Sequence, residues 1–271
     1  MISRSNLHTH SLYCDGKNSL EEMIGQALSL SFRSIGFSGH AYTGLKNDTC
    51  GMSLGATKQY FSELSTLKEK YKDRISVFSG LEIDAVYPVL YPQADYHIGS
   101  IHFLPTISGM VTIDDTPKLL KEGIDMLGGP LQLARAYYDT FVDFAKRTDF
   151  DIVGHFDLIT KFDEQGIPLF DHEDRKYQDI ALAAMEAIGD CGKIFEVNTG
   201  AISRGYRTQP YPDAFLLRRI KELGFPICLS SDAHRKEDLV FGFEKAEMLL
   251  RSIGFTTLTE LTDSGFVQIQ F

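Results

Sequence analysis

The sequence predicts an α/β chain whose strand and helix repeats close into a seven-stranded, TIM-barrel-like ring. Three observations carry this expectation. Short apolar runs alternate with helix-like segments along the chain. Seven of those runs end in a site-like polar residue, at His10, His40, Glu82, His102, His155, Asn198 and Asp232. Nearly every strand contributes one, whereas an open doubly wound sheet would gather its ligand residues at one switch point.

The elements follow in order. A strand around Asn6 to His10 is followed by a helix from Ser19 to Leu30, which Ser19-Leu20-Glu21-Glu22 opens as a capping box. A strand over Ser34 to Ser38, a helix over Thr57 to Tyr71 and a strand over Ile75 to Glu82 come next. Tyr96 to His102 reads as the fourth strand, with helices over Asp115 to Leu127 and Pro130 to Lys146. Ile152 to Gly154 is a short buried strand leading into a long loop through Pro168. A helix from His172 to Asp190, a strand Ile194 to Asn198, a helix Pro212 to Leu223, a strand Ile227 to Ser231 and a helix Phe243 to Ile253 complete the alternation. The tail, Thr256 to Phe271, is expected as a short hairpin or edge.

Length and composition set bounds. Barrels of this type run to about 250 residues, so 1–271 is expected as a single domain, with no Pro/Gly/Ser-rich linker dividing it. A formal charge of -10 argues against broad nucleic-acid affinity, because backbone binding needs clustered Lys and Arg. It leaves room for an anionic substrate at a site whose local field is set by metal ions. Met1-Ile2-Ser3-Arg4-Ser5 has no signal-peptide pattern, and no apolar stretch would span a bilayer, so the expected location is cytoplasmic. Cys14, Cys50, Cys191 and Cys228 lack framework spacing and read as free, mostly buried thiols, with Cys14 the single one placed to act as a soft ligand.

His8 and His10, at i and i+2 on a strand, face the same side and can present two imidazoles to one ion. With Asp15, His40, Glu82, His102, His155, Asp232 and His234 they make nine candidate donors, more than one metal needs. Two or three ions are therefore expected, in a mixture of imidazole and carboxylate that suits Zn, Mn or Fe. Glu82, by chain order, is best placed to bridge two of them. Such a cluster brings a water to a pKa near 7 and takes up charge on phosphoryl oxygens, so phosphate-ester hydrolysis is its natural use. Taken singly, each residue has a plainer role: a surface HxH, a loop histidine bonded to backbone, Asp232 as a helix N-cap, Glu82 paired to an arginine. Six histidines and three carboxylates at strand ends are hard to divide among separate structural purposes. His97, inside a strand-like run, and His172, opening a helix, are given structural roles.

The order His8-Thr9-His10, Cys14-Asp15-Gly16, Gly36-Phe37-Ser38-Gly39-His40, Gly80-Leu81-Glu82, Gly99-Ser100-Ile101-His102, Gly154-His155 and Ser231-Asp232-Ala233-His234 resembles the polymerase and histidinol phosphatase (PHP) superfamily. The match spans residues 8 to 234. Within that superfamily the chain is similar to the monofunctional L-histidinol-phosphate phosphatases, through Asp15-Gly16 with Ser19 to Met23, Gly154 to Lys161, and Glu196-Val197-Asn198-Thr199 leading to Tyr211-Pro212. The resemblance implies a distorted (β/α)7 barrel with a trinuclear site. Carried over, His8, His10, Glu82 and Asp232 hold the first ion, Glu82, His102 and His155 the second, and Asp15, His40 and His234 the third. It further implies in-line attack on phosphorus by a bridging hydroxide, with Asp232 or His234 as the acid for the leaving alkoxide. Arg204, Arg207 and Lys161 are the candidates to grip the phosphate. Ala201 to Gly205 departs from the shorter segment usual in the family, so the choice among the three stays open. Asp157 and Asp163 could meet a substrate amine, surface solvation being their other role.

The expected function is thus metal-dependent hydrolysis of L-histidinol phosphate, a small-molecule phosphate monoester. Three other readings compete: a PHP phosphoesterase acting on nucleotides or oligonucleotide ends, a noncatalytic metal-binding barrel, and a metal-dependent C–N hydrolase. The acidic balance weighs against the first. The complete ligand set weighs against the second, and the lack of a lysine at a strand end against the third. No helix shows a sustained heptad, and oligomeric state is left open.

Overall fold

The computed structural model describes residues 3–46, 48–107, 109–166 and 168–271; Met1 and Ile2 of the N-terminal run lie outside them. The chain runs β1 (Ser5–Asn6), α1 (Leu20–Ser29), β2 (Ser34–Phe37), α2 (Leu54–Tyr71), β3 (Ser76–Asp84), β4 (Tyr96–Ser100), β5 (Phe103–Thr106), β6 (Gly109–Thr112), α3 (Pro117–Leu127) and α4 (Pro130–Arg147). It continues through β7 (Ile152–Val153), α5 (Arg175–Gly189), β8 (Ile194–Asn198), α6 (Gly200–Ser203), α7 (Ala214–Leu223), β9 (Ile227–Ser230), α8 (Phe243–Ile253), β10 (Thr257–Thr262) and β11 (Gly265–Gln270).

Seven strands form one parallel sheet in the order β1-β2-β3-β4-β7-β8-β9. Within this sheet the strands lie side by side in chain order; β3 and β4 are joined by a loop, and every other neighbouring pair by a connection that contains a helix. The ring nearly closes beyond the ends of β1 and β9, where Thr9 bridges Ala233 in parallel. There the His10 amide donates to the Ala233 carbonyl at 2.9 Å, and the Ala233 amide donates to the His8 carbonyl at 3.1 Å.

Two apolar layers hold the ring. Inside it, Leu7, Phe78, Tyr96, Ile98, Ile152, Ile194 and Cys228 meet Leu261 from β10, so the tail hairpin of β10 and β11 packs beneath the barrel as a separate two-stranded sheet. Outside it, the buried faces of the helices cover the strands, as Met23, Ile24 and Ala27 of α1 do. Tyr96 crosses the barrel interior to donate to the Leu7 carbonyl. That crossing needs Gly80, where a Cβ would fall 2.4 Å from Tyr96 Cζ.

The predicted strands and long helices are all present, with shifts that have local causes. Strand β1 is short because beyond Asn6 the chain pairs through the single Thr9 bridge. Strand β3 runs past Glu82 to Asp84, so that glutamate lies within the strand. Helix α5 starts at Arg175 rather than His172, because Asp174 caps it through the Lys176 amide, and α7 starts at Ala214 with Asp213 as cap. The capping box at Ser19 and Glu22 is formed. The unexpected elements are the four-residue α6 and the antiparallel hairpin of β5 and β6, inserted directly after His102. No helix among the described residues is long and apolar enough to cross a membrane.

Candidate metal centre

Glu82, 2% exposed in the middle of the ring, has five imidazoles around its carboxylate. Its Oε2 lies 3.2 Å from His8 Nε2, 3.7 Å from His10 Nε2 and 3.0 Å from His40 Nδ1. Its Oε1 lies 3.3 Å from His102 Nε2 and 2.9 Å from His155 Nε2. His8 and His10 flank Thr9, whose hydroxyl turns the other way to donate to the Gly36 carbonyl at 2.6 Å. Alternation along an extended segment thus sends both imidazoles to the same interior.

Two more carboxylates complete the cluster. Asp232 Oδ1 lies 3.1 Å from His10 Nε2, 3.5 Å from His234 Nδ1 and 3.6 Å from His8 Nε2. Asp15 Oδ2 is 3.1 Å from His234 Nε2, and its Oδ1 is 3.6 Å from His10 Nδ1 and 3.7 Å from His40 Nε2. All nine sequence-derived donors therefore meet at one end of the barrel. Their ligand atoms group as His10, Asp15, His40 and His234; as His8, His10 and Glu82; as His8, His155 and Asp232; and as His40, Glu82 and His102, each set lying within 4.8 Å. These sets cut across the three expected from resemblance, since His10 joins Asp15, His40 and His234, and His155 falls with His8 and Asp232.

The donors fit metal better than they fit one another. His8 Nε2, His10 Nε2, Asp15 Oδ1 and Glu82 Oε2 are buried without a hydrogen-bond partner. Buried polar atoms of that kind are costly, each worth about 1–3 kcal/mol, unless something else engages them. Burial alone would neutralise these carboxyls, yet the surrounding imidazoles hold Glu82 well below the carboxylate range. Asp15 is likewise held low by His40 and His234 against its burial, and Asp232 by Arg204 and His8. His10 moves the other way, down to about 3, because burial and the neighbouring His234 and His40 disfavour a second charge. His8, His40 and His102 are instead raised, against their burial, by the carboxylates around them, so an ion entering the cluster would displace their protons.

The three candidate cations take different places. Arg204, just after α6, places Nη2 2.9 Å from Asp232 Oδ2 and Nη1 3.2 Å from His234 Nδ1, at the edge of the cluster. Lys161 donates to the Asp114 carboxylate at 3.0 Å and to its carbonyl at 2.7 Å. Arg207 is buried in the wall, donating to Thr160 Oγ1 and lying over the Tyr211 ring at 4.6 Å. Asp157 and Asp163 are not surface groups: both are buried, Asp157 accepting from the Asp213 amide and Asp163 from the amides of Leu169 and Phe170. His97 accepts from the Tyr91 amide, and His172 sits between two aspartates ahead of its helix, so neither belongs to the cluster. Cys14 lies 3.5 Å from His10 Nδ1, where burial and Asp15 push its thiol up to about 11, and it joins none of the donor groups above. Of the free cysteines, Cys228 is buried and Cys14 half-buried, while Cys50 and Cys191 are exposed rather than buried as expected.

Sequence reasoning missed three acidic groups around the cluster. Glu196 on β8 is 1% exposed and contacts His8. Asp84 accepts from the His102 amide at 2.7 Å. Asp114, delivered by the β5 and β6 hairpin through the bond of the Ile113 amide to the His102 carbonyl, holds Lys161. Only Glu196 left a signal in the sequence, a carboxylate amid the apolar run Ile194-Phe195-Glu196-Val197.

Known proteins share this chain's sequence pattern and fold. A "Probable histidinol-phosphatase" of Schizosaccharomyces pombe is 28% identical over 274 residues, covering 93% of this chain and 87% of that protein. A "Histidinol-phosphatase" of Bacillus subtilis is 28% identical over 262 residues, covering 88% of this chain and 96% of its own length. Among solved structures, histidinol phosphate phosphatase of Lactococcus lactis, crystallised with Zn, L-histidinol and phosphate, superposes with a TM-score of 0.73 at 19% identity. The overlap covers 98% of this chain and 100% of that one, and shows the shared fold. The PHP domain model matches residues 6–200, a stretch that runs from His8 through His155 and so holds seven of the nine clustered donors; the chain belongs to the PHP domain family.

Proposed function

We propose that the chain is a metal-dependent phosphomonoesterase that hydrolyses L-histidinol phosphate to L-histidinol and phosphate. The observation that carries the reading is the ring of imidazoles about Glu82, with buried donor atoms of His8, His10, Asp15 and Glu82 left unpaired. The names of the relatives and the ligands of the Lactococcus structure support the substrate. His8, His10, Glu82 and Asp232 would hold one ion, Glu82, His102 and His155 a second, and Asp15, His40 and His234 a third, with Zn, Mn and Fe all suited to the donors. Bound there, the ions supply an activated water and neutralise charge on the phosphoryl group.

The chain's own residues do the rest. Arg204 holds Asp232 Oδ2 with Nη2 and the Asp232 carbonyl with Nη1, and the exposed edge of its guanidinium would meet the phosphoryl oxygens as the ester enters. Asp232 is the candidate group for the leaving alkoxide's proton: its Oδ1, 3.1 Å from His10 Nε2, faces the histidines with which it would hold an ion, which leaves Oδ2, beside Arg204, as the oxygen that would carry that proton. His234 Nδ1 is engaged by the Asp232 carbonyl at 3.0 Å and its Nε2 by Asp15, which makes it a ligand and orienting group in this reading rather than the acid. Lys161, held by Asp114, is the second cation toward the phosphate, and Arg207 acts by supporting the wall. The protein is read as one barrel domain working on a small molecule in the cytoplasm.

The test is phosphate release from L-histidinol phosphate, p-nitrophenyl phosphate, a bis-ester and a short oligonucleotide by enzyme loaded with Mn, Zn or Fe. Selective release from L-histidinol phosphate, lost in His10→Ala, is the expected result. Equal weak release from every monoester would overturn the substrate assignment, and release from the oligonucleotide alone would favour the nuclease reading.

A further inference from the structure

We infer that Glu196 is a positioning residue that sets the tautomer of His8 and locks together the two strand ends carrying His8 and His155; the inference rests on the metal-centre reading above. Four donors converge on its carboxylate. Oε1 receives His8 Nδ1 at 2.6 Å and the Ser230 hydroxyl, while Oε2 receives the His155 amide at 2.8 Å and Asn198 Nδ2 at 2.9 Å. The Asn198 amide cannot be turned round, because its Oδ1 accepts from the Gly200 amide at 2.8 Å. An ionised carboxylate only accepts, so all four protons of this cage point at Glu196, which is 1% exposed.

The consequence for His8 follows from its two nitrogens. With Nδ1–H donated to Glu196, Nε2 is the nitrogen left to meet an ion, and it is Nε2 that lies 3.2 Å from Glu82 Oε2 and 3.6 Å from Asp232 Oδ1. A carboxylate behind a ligating imidazole fixes the ring plane and raises its basicity. Glu196 does this for His8 and, through the backbone, fixes where His155 begins. One buried carboxylate on β8 thereby sets the approach of donors from β1 and β7.

The four-donor cage also predicts that glutamine is not a neutral replacement. Glutamine has one acceptor oxygen, so its NH2 faces either the His155 amide and Asn198, donor against donor, or Ser230 and His8 Nδ1, which His8 can accept only by moving its proton to Nε2, the nitrogen an ion would need. In Glu196→Gln the Zn affinity of the tightest released ion should fall about 10- to 100-fold in a chelator competition, with Zn per chain falling at equal free Zn. The metal-free variant should melt within a few degrees of metal-free wild type. Unchanged Zn affinity in a folded Glu196→Gln protein would overturn the inference.

A second measurement uses the wild-type protein and is independent of whether the variant folds. In the Zn-loaded enzyme with 15N-labelled histidine, the His8 ring, assigned by its loss in His8→Gln, should show a protonated Nδ1 and a metal-bound Nε2. A metal-bound Nδ1 would overturn the inference. Neither readout involves a substrate, so failure of the L-histidinol phosphate assignment would show only in the phosphate-release assay.

Discussion

Gly200 packs so tightly against Asp232 that a Cβ added to it would lie 2.8 Å from both the Cβ and Oδ2 of that aspartate. The same Cβ would lie 3.0 Å from Arg204 Nη2. Asp232 is itself held at φ 48, a left-handed backbone that aspartate tolerates better than most residues, at the turn where its strand opens into the site. Gly200→Ala must therefore displace the Asp232 and Arg204 pair while leaving the barrel strands untouched. A misplacement near 1 Å at reacting groups costs about 100-fold in rate. Steady-state kinetics on L-histidinol phosphate should show a fall of about 10- to 100-fold in kcat, with a melting temperature within a few degrees of wild type.

Arg204 touches both Asp232 and His234, which gives its replacement a specific signature. Arg204→Ala should lower kcat/KM by about 100- to 1,000-fold, the scale of losing one aimed electrostatic donor. Arg204→Lys should recover little of it, because an ammonium cannot hold Asp232 Oδ2 and a phosphoryl oxygen with one planar fork. Arg207→Lys, by contrast, acts on the Thr160 and Tyr211 wall and should appear mainly in the melting temperature. Parallel kinetics and melting curves separate the two.

The imidazole ring around Glu82 predicts how the protein responds to metal removal. Without ions, buried atoms of four donor residues stay unsatisfied, so chelation should abolish phosphate release and also lower the melting temperature. Readdition of Zn or Mn should restore both. Glu82→Ala should lose more than one ion per chain by elemental analysis, since both of its oxygens face separate histidines.

These readings were legible in the sequence to an uneven degree, for physical reasons. The seven strand ends announce themselves because each short apolar run stops at a polar residue, which is how His40 and His155 were found without knowledge of the fold. The β5 and β6 hairpin did not, because Phe103-Leu104-Pro105-Thr106 carries a proline that argues against a strand unless it is an edge. Asp114, which that hairpin delivers, was hidden with it. Glu196 was overlooked because it lies within its strand, away from the end where ligands were sought. The choice between Arg204 and Arg207 turns on the short α6 turn, whose geometry no spacing rule supplies. Asp157 and Asp163 looked like loop charges, but the long loop folds back over the barrel and buries both.

That buried loop makes the last prediction. His172 lies with Nε2 2.8 Å from Asp163 Oδ2 and Nδ1 2.9 Å from Asp213 Oδ2, tying the loop to the cap of α7. Hydrogen bonds to the two aspartates raise its pKa to about 10 against the burial that opposes the charge. A histidine whose pKa rises on folding contributes stability that is fully present below its unfolded value near 6.5 and is lost as pH climbs through about 10. His172→Gln removes the cation and leaves Asp163 with fewer donors. Hydrogen bonds to charged groups contribute about 1.5–3 kcal/mol, so wild type should exceed the variant by an amount of that order at pH 6. Urea unfolding of both proteins from pH 6 to pH 10.5 checks this. The gap should narrow steadily above pH 6.5 and nearly vanish at the alkaline end, because there the wild-type imidazole has shed the charge that bound the two carboxylates; a gap that stays constant with pH would mean that His172 contributes packing alone.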